Sequence, residues 1–215
     1  MDWDPVTHYK DVEIAERYDR VRFSSWAGRV FNALEKRYVA KAIQGLTPGS
    51  SILDLPCGTG RLAEVMLNAG HKVEGADVSP AMLEVARRKL QRFGERFSTR
   101  VLDVMTLPAD APAQYDAALC ARVLMHFPLD DQIRFLRGVA QLSRGPVILT
   151  QSFSTPYHRA RRRFKRMIGN QPSANHPITE SELRQLLEGA GLREVRRLRP
   201  ARLVSEAIVV VAQHL

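Results

Sequence analysis

Five short apolar runs between residues 51 and 151, most of them separated by segments of helical length, constrain this chain more than any other feature. They are residues 51–55 (SILDL), 72–77 (KVEGAD), 97–103, 115–120 and 146–151 (PVILTQ). Residues 61–68 read as a helix closed by Gly70. Ser79-Pro80 caps and starts another that runs to about Arg92, and residues 130–142 make a third. Residues 108–112, bounded by prolines, are a loop. Strands joined by crossovers of this length lie parallel, with helices covering both faces of the sheet. The ending breaks this rhythm. Thr179 and Glu182 have capping-box spacing at the start of a helix that Gly189 and Gly191 close. Two strand-like runs follow, 192–198 and 205–212, with Pro200 between them and no room for a crossover helix, so they pair antiparallel. The expected fold is α/β, with five parallel strands in one doubly wound sheet and a C-terminal antiparallel hairpin at one edge.

The first 45 residues are expected to form covering helices. Residues 7–22 suit a short one, and Ser24-Ser25 can cap a second. On that second helix Val30, Leu34, Tyr38 and Ala42 recur every four residues, the stripe of a helix lying on a core. Gly45 and Pro48-Gly49 stop it.

Length and composition remove other classes. A chain of 215 residues suits one α/β domain and is short for two. Its longest apolar runs, such as 207–212, fall far below the ~20 residues of a membrane span. The N-terminus is acidic and lacks a basic stretch followed by an apolar one, so a cytoplasmic protein is expected. Two cysteines, Cys57 and Cys120, make neither a disulfide framework nor a four-ligand zinc site, and no metal is expected. Charge is uneven. Residues 1–150 hold 20 lysines and arginines against 18 acids, whereas residues 151–215 hold 12 against 5. That asymmetry points to an anionic partner or surface.

The chemistry concentrates in residues 52–60, ILDLPCGTG, at a strand-to-helix junction. Gly58 and Gly60 let the backbone approach a ligand, and the helix behind them offers unpaired N–H groups. With Ala63 the turn satisfies G-x-G-x-x-A, although a purely structural glycine turn would look the same. Context adds weight. Asp54, Asp77 and Asp103 stand at the ends of the first three strands, so their carboxylates reach one sheet edge, where open α/β sheets bind ligands. Asp77 lies 17 residues beyond Gly60, a spacing suited to accepting hydrogen bonds from ribose hydroxyls.

These residues resemble the class I S-adenosylmethionine (SAM) dependent methyltransferases of small-molecule type. The acid and glycine turn of that family are matched by residues 54–60 (DLPCGTG), and its ribose-binding acid with the following helix by residues 77–83 (DVSPAML). Its adenine-side acid falls on Asp103, followed by Val104. Its segment after the fourth strand, often ending in histidine, is matched by residues 120–126 (CARVLMH), and its terminal helix by residues 179–191. The resemblance implies a Rossmann-like sheet and one methyltransferase domain. That domain would comprise a helical cap (1–45), a cofactor-binding core (50–152), a basic insertion (153–178) and a terminal helix with hairpin (179–215). It also implies SAM as cofactor and S-adenosylhomocysteine (SAH) as product, with Tyr18, Asp54, Gly58, Thr59, Gly60, Asp77, Val78, Met82, Asp103, Val104 and Ala121 as cofactor-binding residues. One position departs from the pattern. Pro56 stands where the family most often has its first glycine, and proline offers no N–H to the cofactor's carboxylate.

For the transfer step His126, after the fourth strand, suits a proton acceptor, or else a histidine packed against the cofactor loop. Tyr18 and Arg22 suit a lid over the site, or a helix that merely covers the sheet. Cys120 reads as a small buried hydrophobe. In the insertion, Tyr157, Ala160, Phe164, Met167 and Ile168 share one helical face, while Arg159, Arg161, Arg162, Arg163, Lys165 and Arg166 take most of the rest. That basic face is a solvated surface, a clamp for a phosphorylated or carboxylated acceptor, or a peripheral contact with membrane or RNA. In the clamp reading Arg22, Tyr157, Arg161 and Arg162 hold the acceptor. His158 and His176 read as surface-loop residues.

Three rivals remain. An NAD-binding oxidoreductase shares the glycine pattern but not Asp103 or the terminal hairpin. A nucleic-acid methyltransferase, RNA included, fits the basic charge but lacks the Pro-Pro-aromatic or Pro-Cys motif after the fourth strand. A non-catalytic SAM binder would retain the cofactor residues alone. The expectation is methyl transfer to a small-molecule acceptor, anionic in the clamp reading. Nucleic acid is not expected as a partner, and the acceptor atom and oligomeric state stay open.

Overall fold

The computed structural model describes residues 23–154, 163, 167, 176–199 and 207–215. In it the alternating runs become one seven-stranded sheet of order β3-β2-β1-β4-β5-β7-β6. In chain order the elements are α1 (Trp26–Ile43), β1 (Ser51–Asp54), α2 (Ala63–Asn68), β2 (Lys72–Asp77), α3 (Pro80–Leu90), β3 (Phe97–Val101), β4 (Ala117–Ala121), α4 (Leu129–Leu142), β5 (Val147–Ser152), α5 (Glu180–Gly189), β6 (Leu192–Leu198) and β7 (Ala207–His214). The first five strands are parallel, and β7 runs antiparallel to both β5 and β6.

Side chains alternate across the sheet as the strand period requires. On β4, Ala118 and Cys120 pack with Leu53, Leu136, Val139, Leu149, Leu186 and Val210, under α4 and α5. Ala117, Leu119 and Ala121 face the other way, toward Val39, Ile43, Met66, Leu67 and Leu83 of α1, α2 and α3. Every residue of β4 and β5 is buried, as expected for central parallel strands.

The hairpin is placed with β7 inside. Residues 207–212 pair with residues 147–152 of β5, and β6 becomes the edge. Composition explains the choice. The strand β7 (AIVVVAQH) has a buried middle, whereas β6 (LREVRRL) exposes Arg193, Glu194, Val195 and Arg196. Charged side chains on an edge strand also discourage pairing with other chains.

Local signals at the helix starts are realised. Ser25 accepts from Gly28 N–H at 3.0 Å, Ser79 caps α3 with Pro80 in its first turn, and Thr179 and Glu182 form the capping box. The stripe expected on α1 is rotated. Val30 is 38% exposed and Leu34 and Tyr38 only half-buried, while Glu35, Val39, Ala42 and Ile43 face inward. Glu35 turns in because Arg61, on the loop before α2, meets it at 2.5 Å. A second correction concerns the insertion: Met167, expected on an apolar face against the domain, is 77% exposed. The expected helix over 7–22 and most of the basic insertion, with Tyr18, Arg22, Tyr157, Arg161 and Arg162, lie outside the described residues. Among the described residues no helix is long and apolar enough to cross a membrane.

Candidate cofactor and acceptor site

Strand order reverses direction between β1 and β4, so a crevice opens beyond their carboxyl ends. The glycine turn forms one wall. Gly58 and Gly60 have φ of 54° and 75°, the left-handed region that glycine enters without steric cost. Gly58 N–H donates to Asp77 Oδ2 at 2.8 Å, and Ser79 N–H donates to Asp77 Oδ1 at 3.0 Å. The acid at the end of β2 thus holds the turn after β1. A Cβ on Gly60 would lie 2.7 Å from Leu90 Cδ1, which shows how closely the turn sits on α3. Below it, a Cβ on Gly75 would lie 2.5 Å from Cys57 Sγ.

Asp54 lies beneath this turn and is 1% exposed. Burial pushes its carboxyl up to about 7, opposed by the nearby Arg61 charge and assisted by repulsion from Asp77. The Cys57 thiol and Ala63 N–H donate to Asp54, yet among the described residues no group bonds its buried Oδ2. Burial likewise raises Asp77, against the backbone N–H groups that favour its charged form. Asp103 differs. It is exposed, and its Oδ1 accepts from Met105 N–H at 2.9 Å, capping a short 3₁₀ turn, Val104–Thr106. Val104, Met82 and Ala121 are buried, and Val78 is half-buried.

The opposite wall begins where β4 ends. Arg122 has φ of 66°, the only positive φ outside glycine among the described residues. Such a conformation costs an arginine on the order of 1–3 kcal/mol. It is held by Arg122 N–H donating to Thr150 Oγ1 at 3.1 Å, and the guanidinium lies 5.0 Å from the centroid of the Phe31 ring. The next turn, Leu124–His126, carries half-buried His126. Behind it runs a buried amide chain. Gln151 Nε2 donates to Gln132 Oε1 at 2.6 Å, and Gln132 Nε2 donates to Phe127 O at 2.8 Å. Ser152 Oγ reaches Met125 Sδ at 3.4 Å, so β5 and α4 fix the turn from below. Cys120 is fully buried with its thiol pushed far up by desolvation, which suits a packing role.

A family model described as a methyltransferase domain matches residues 52–145. A ubiquinone biosynthesis O-methyltransferase of Xanthomonas campestris is 32% identical over 127 residues, which are 58% of this chain and 52% of that protein. Its counterpart in Nitrosomonas europaea is 28% identical over 89% of this chain and 77% of its own length. The chain therefore spans about half the length of the Xanthomonas relative. A magnesium protoporphyrin IX methyltransferase from Synechocystis, solved with bound SAH, shares the fold at a TM-score of 0.77 and 20% identity over 97% of both chains. Residues 52–145 are thus similar to a methyltransferase domain, within a fold shared with that SAH-binding structure.

The residues present fit a SAM-type cofactor. Among the described residues Asp54 Oδ2 lacks a partner beside the turn, and a Cβ on Gly58 would meet nothing within 4 Å, so open space adjoins the same backbone. Asp54, Gly58, Thr59, Gly60, Asp77, Val78, Met82, Asp103, Val104 and Ala121 all fall at the carboxyl edge of β1–β4. Among the described residues no group of three or more histidine, cysteine or acidic side chains is placed to hold a metal ion. Sequence reasoning did not single out Arg122, Phe31 or the Gln132–Gln151 pair, whose contacts hold the segment after β4. One signal was available for the arginine: a charged residue directly follows a strand of five buried residues.

Proposed function

We propose that this chain moves a methyl group from SAM to a hydroxyl oxygen of a small-molecule acceptor. The observation that carries the reading is the crevice between β1 and β4, with an unsatisfied buried carboxylate and an open glycine turn on one wall and His126 on the other. The names of the curated relatives, O-methyltransferases of ubiquinone biosynthesis, favour oxygen as the acceptor atom. SAM supplies a methyl group already activated on a sulfonium, which leaves the protein mainly positioning and water exclusion.

Asp77 would accept from ribose hydroxyls, and Asp54 would face the cofactor's positive groups from beneath the turn. Pro56 cannot donate there, so the N–H groups that remain on the turn carry the anionic end. Val78, Met82, Val104 and Ala121 supply apolar walls, and Asp103 the polar rim. An imidazole nitrogen of His126 would take the hydroxyl proton as the new C–O bond forms. Tyr18 is assigned to the cofactor, and Arg22, Tyr157, Arg161 and Arg162 to the acceptor, on sequence alone.

The test is SAH release across a panel of phenolic and catecholic acceptors with the purified chain. Release with at least one acceptor, abolished or slowed about 100-fold or more in His126→Ala at unchanged SAM affinity, supports the reading. SAM binding with no SAH release from any acceptor overturns it in favour of a binder.

A further inference from the structure

We infer that Arg61 is a positioning residue for the cofactor: anchored on α1, its guanidinium supplies the charge that readies Asp54, beneath the glycine turn, for a cationic donor. The inference rests on SAM lying in the crevice and names a residue that prepares the site for it.

Anchoring comes first. Arg61 directly follows Gly60, and its side chain reaches back to α1. Nη1 donates to Asn32 Oδ1 at 2.7 Å, and Nη2 donates to Glu35 Oε2 at 2.5 Å. Asn32 and Glu35 are three residues apart on one helical face, so they engage two arms of the planar fork. The guanidinium carbon also lies 5.0 Å from the centroid of the Phe23 ring. Glu35 is buried, and its inward neighbours on α1 are Val39, Ala42 and Ile43. A buried ion pair gains little over a well-packed apolar one, so this pair adds direction and charge more than net stability.

The charge acts on Asp54, a fully buried carboxylate whose Oδ2 no described group bonds. Several elements pack around it. The Cys57 thiol and Ala63 N–H donate to it, Asp77 repels it from the end of β2, and the Cys120 thiol of β4 lies within reach of its charge. Among these groups only Arg61 is cationic. Desolvation raises the Asp54 carboxyl to about 7, and Arg61 is the largest influence opposing that rise. The charge on Asp54 is therefore finely balanced at neutral pH. A cationic donor gains from the ionised carboxylate, so SAM affinity follows the titration of Asp54, and that titration follows Arg61.

The experiment titrates SAM calorimetrically into the full chain from about pH 5.5 to 9, with melting temperatures recorded alongside. In the wild type, affinity is expected to rise with pH through a midpoint near 7. Arg61→Gln should move that midpoint up by about 1 unit or more, weakening SAM about 5-fold or more at pH 7 with the difference fading toward pH 9. Combining it with Glu35→Gln strands no buried ion, so this paired variant should fold and show the same displacement. Arg61→Lys keeps the charge without the fork and should fall between. Asp54→Asn should flatten the profile, and adding Arg61→Gln to it should change the profile no further. Ionisation of SAM itself is common to every protein and drops out of the comparison. A midpoint that both Gln variants leave in place, whatever their affinity, overturns the inference and makes Arg61 a structural strut. Absence of SAM binding by the wild type at every pH overturns the cofactor reading together with it.

Discussion

The two walls of the crevice are built by different means. The proposed cofactor wall is local: a glycine turn, a helix cap and strand-end carboxylates, all within residues 54–104. Its key hydrogen bonds are made by backbone N–H groups to Asp77. The proposed acceptor wall is assembled from afar, with Phe31 of α1, Arg122 after β4, Gln132 of α4 and Thr150 and Gln151 of β5. A wall set by backbone conformation can be shared across many acceptors. A wall set by side chains from four elements can be retuned for each.

The contrast can be broken first at Asp54. Its carboxyl is raised to about 7 in the folded chain and returns to its ordinary value on unfolding. The folded state therefore holds a proton that the unfolded state has lost, and the stability this supplies is present below about pH 4 and lost as pH rises through 7. A shift of this size corresponds to roughly 4 kcal/mol. Denaturant melts of the SAM-free chain should show Asp54→Asn gaining on the wild type by an amount of that order between pH 4 and 8. Parallel pH profiles for the two proteins would remove Asp54 from its buried, unsatisfied role.

The next effect is at Arg61, which bonds Asn32 Oδ1 at 2.7 Å and the buried Glu35 at 2.5 Å, joining the turn to α1. Arg61→Met leaves Glu35 without its charge partner and should cost roughly 3 kcal/mol. Thermal melts would read this as a fall of several degrees. The loss should come with weaker SAM binding, because the same arginine follows Gly60 directly.

Gln132→Leu acts on the other wall. It strands the Gln151 amide and Phe127 carbonyl at a cost of roughly 1–3 kcal/mol. The acceptor's KM should rise and kcat fall while the SAM dissociation constant stays put. If SAM affinity dropped equally, the two walls would not be independent. The smallest change is expected at Lys36, which pairs with Glu64 at 2.8 Å in a partly exposed position. Lys36→Met should alter stability by less than ~1 kcal/mol, by the same denaturant melts.

The same contrast explains how much was legible in the sequence. The glycine turn was readable because it requires residue types at short spacing, glycine where φ is positive and acids at strand ends, and the helix starts at Ser79-Pro80 and Thr179–Glu182 were readable for the same reason. The parallel strands were readable from their apolar runs. Pairing order is non-local, so nothing short of β7's burial against β5 places β7 inside β6. Glu35 broke the helical stripe because its partner lies 26 residues away. The left-handed backbone of Arg122 depends on Thr150, 28 residues downstream. No periodicity carries that information.

The central claim is that SAM lies across the carboxyl ends of β1–β3 with Asp77 on its ribose. Calorimetric titration of SAM into the wild type and Asp77→Ala, with melting temperatures recorded alongside, tests it most directly. Loss of hydrogen bonds to a charged carboxylate is worth roughly 1.5–3 kcal/mol, so the dissociation constant should rise about 10- to 100-fold. A folded Asp77→Ala protein that binds SAM as tightly as the wild type would contradict it.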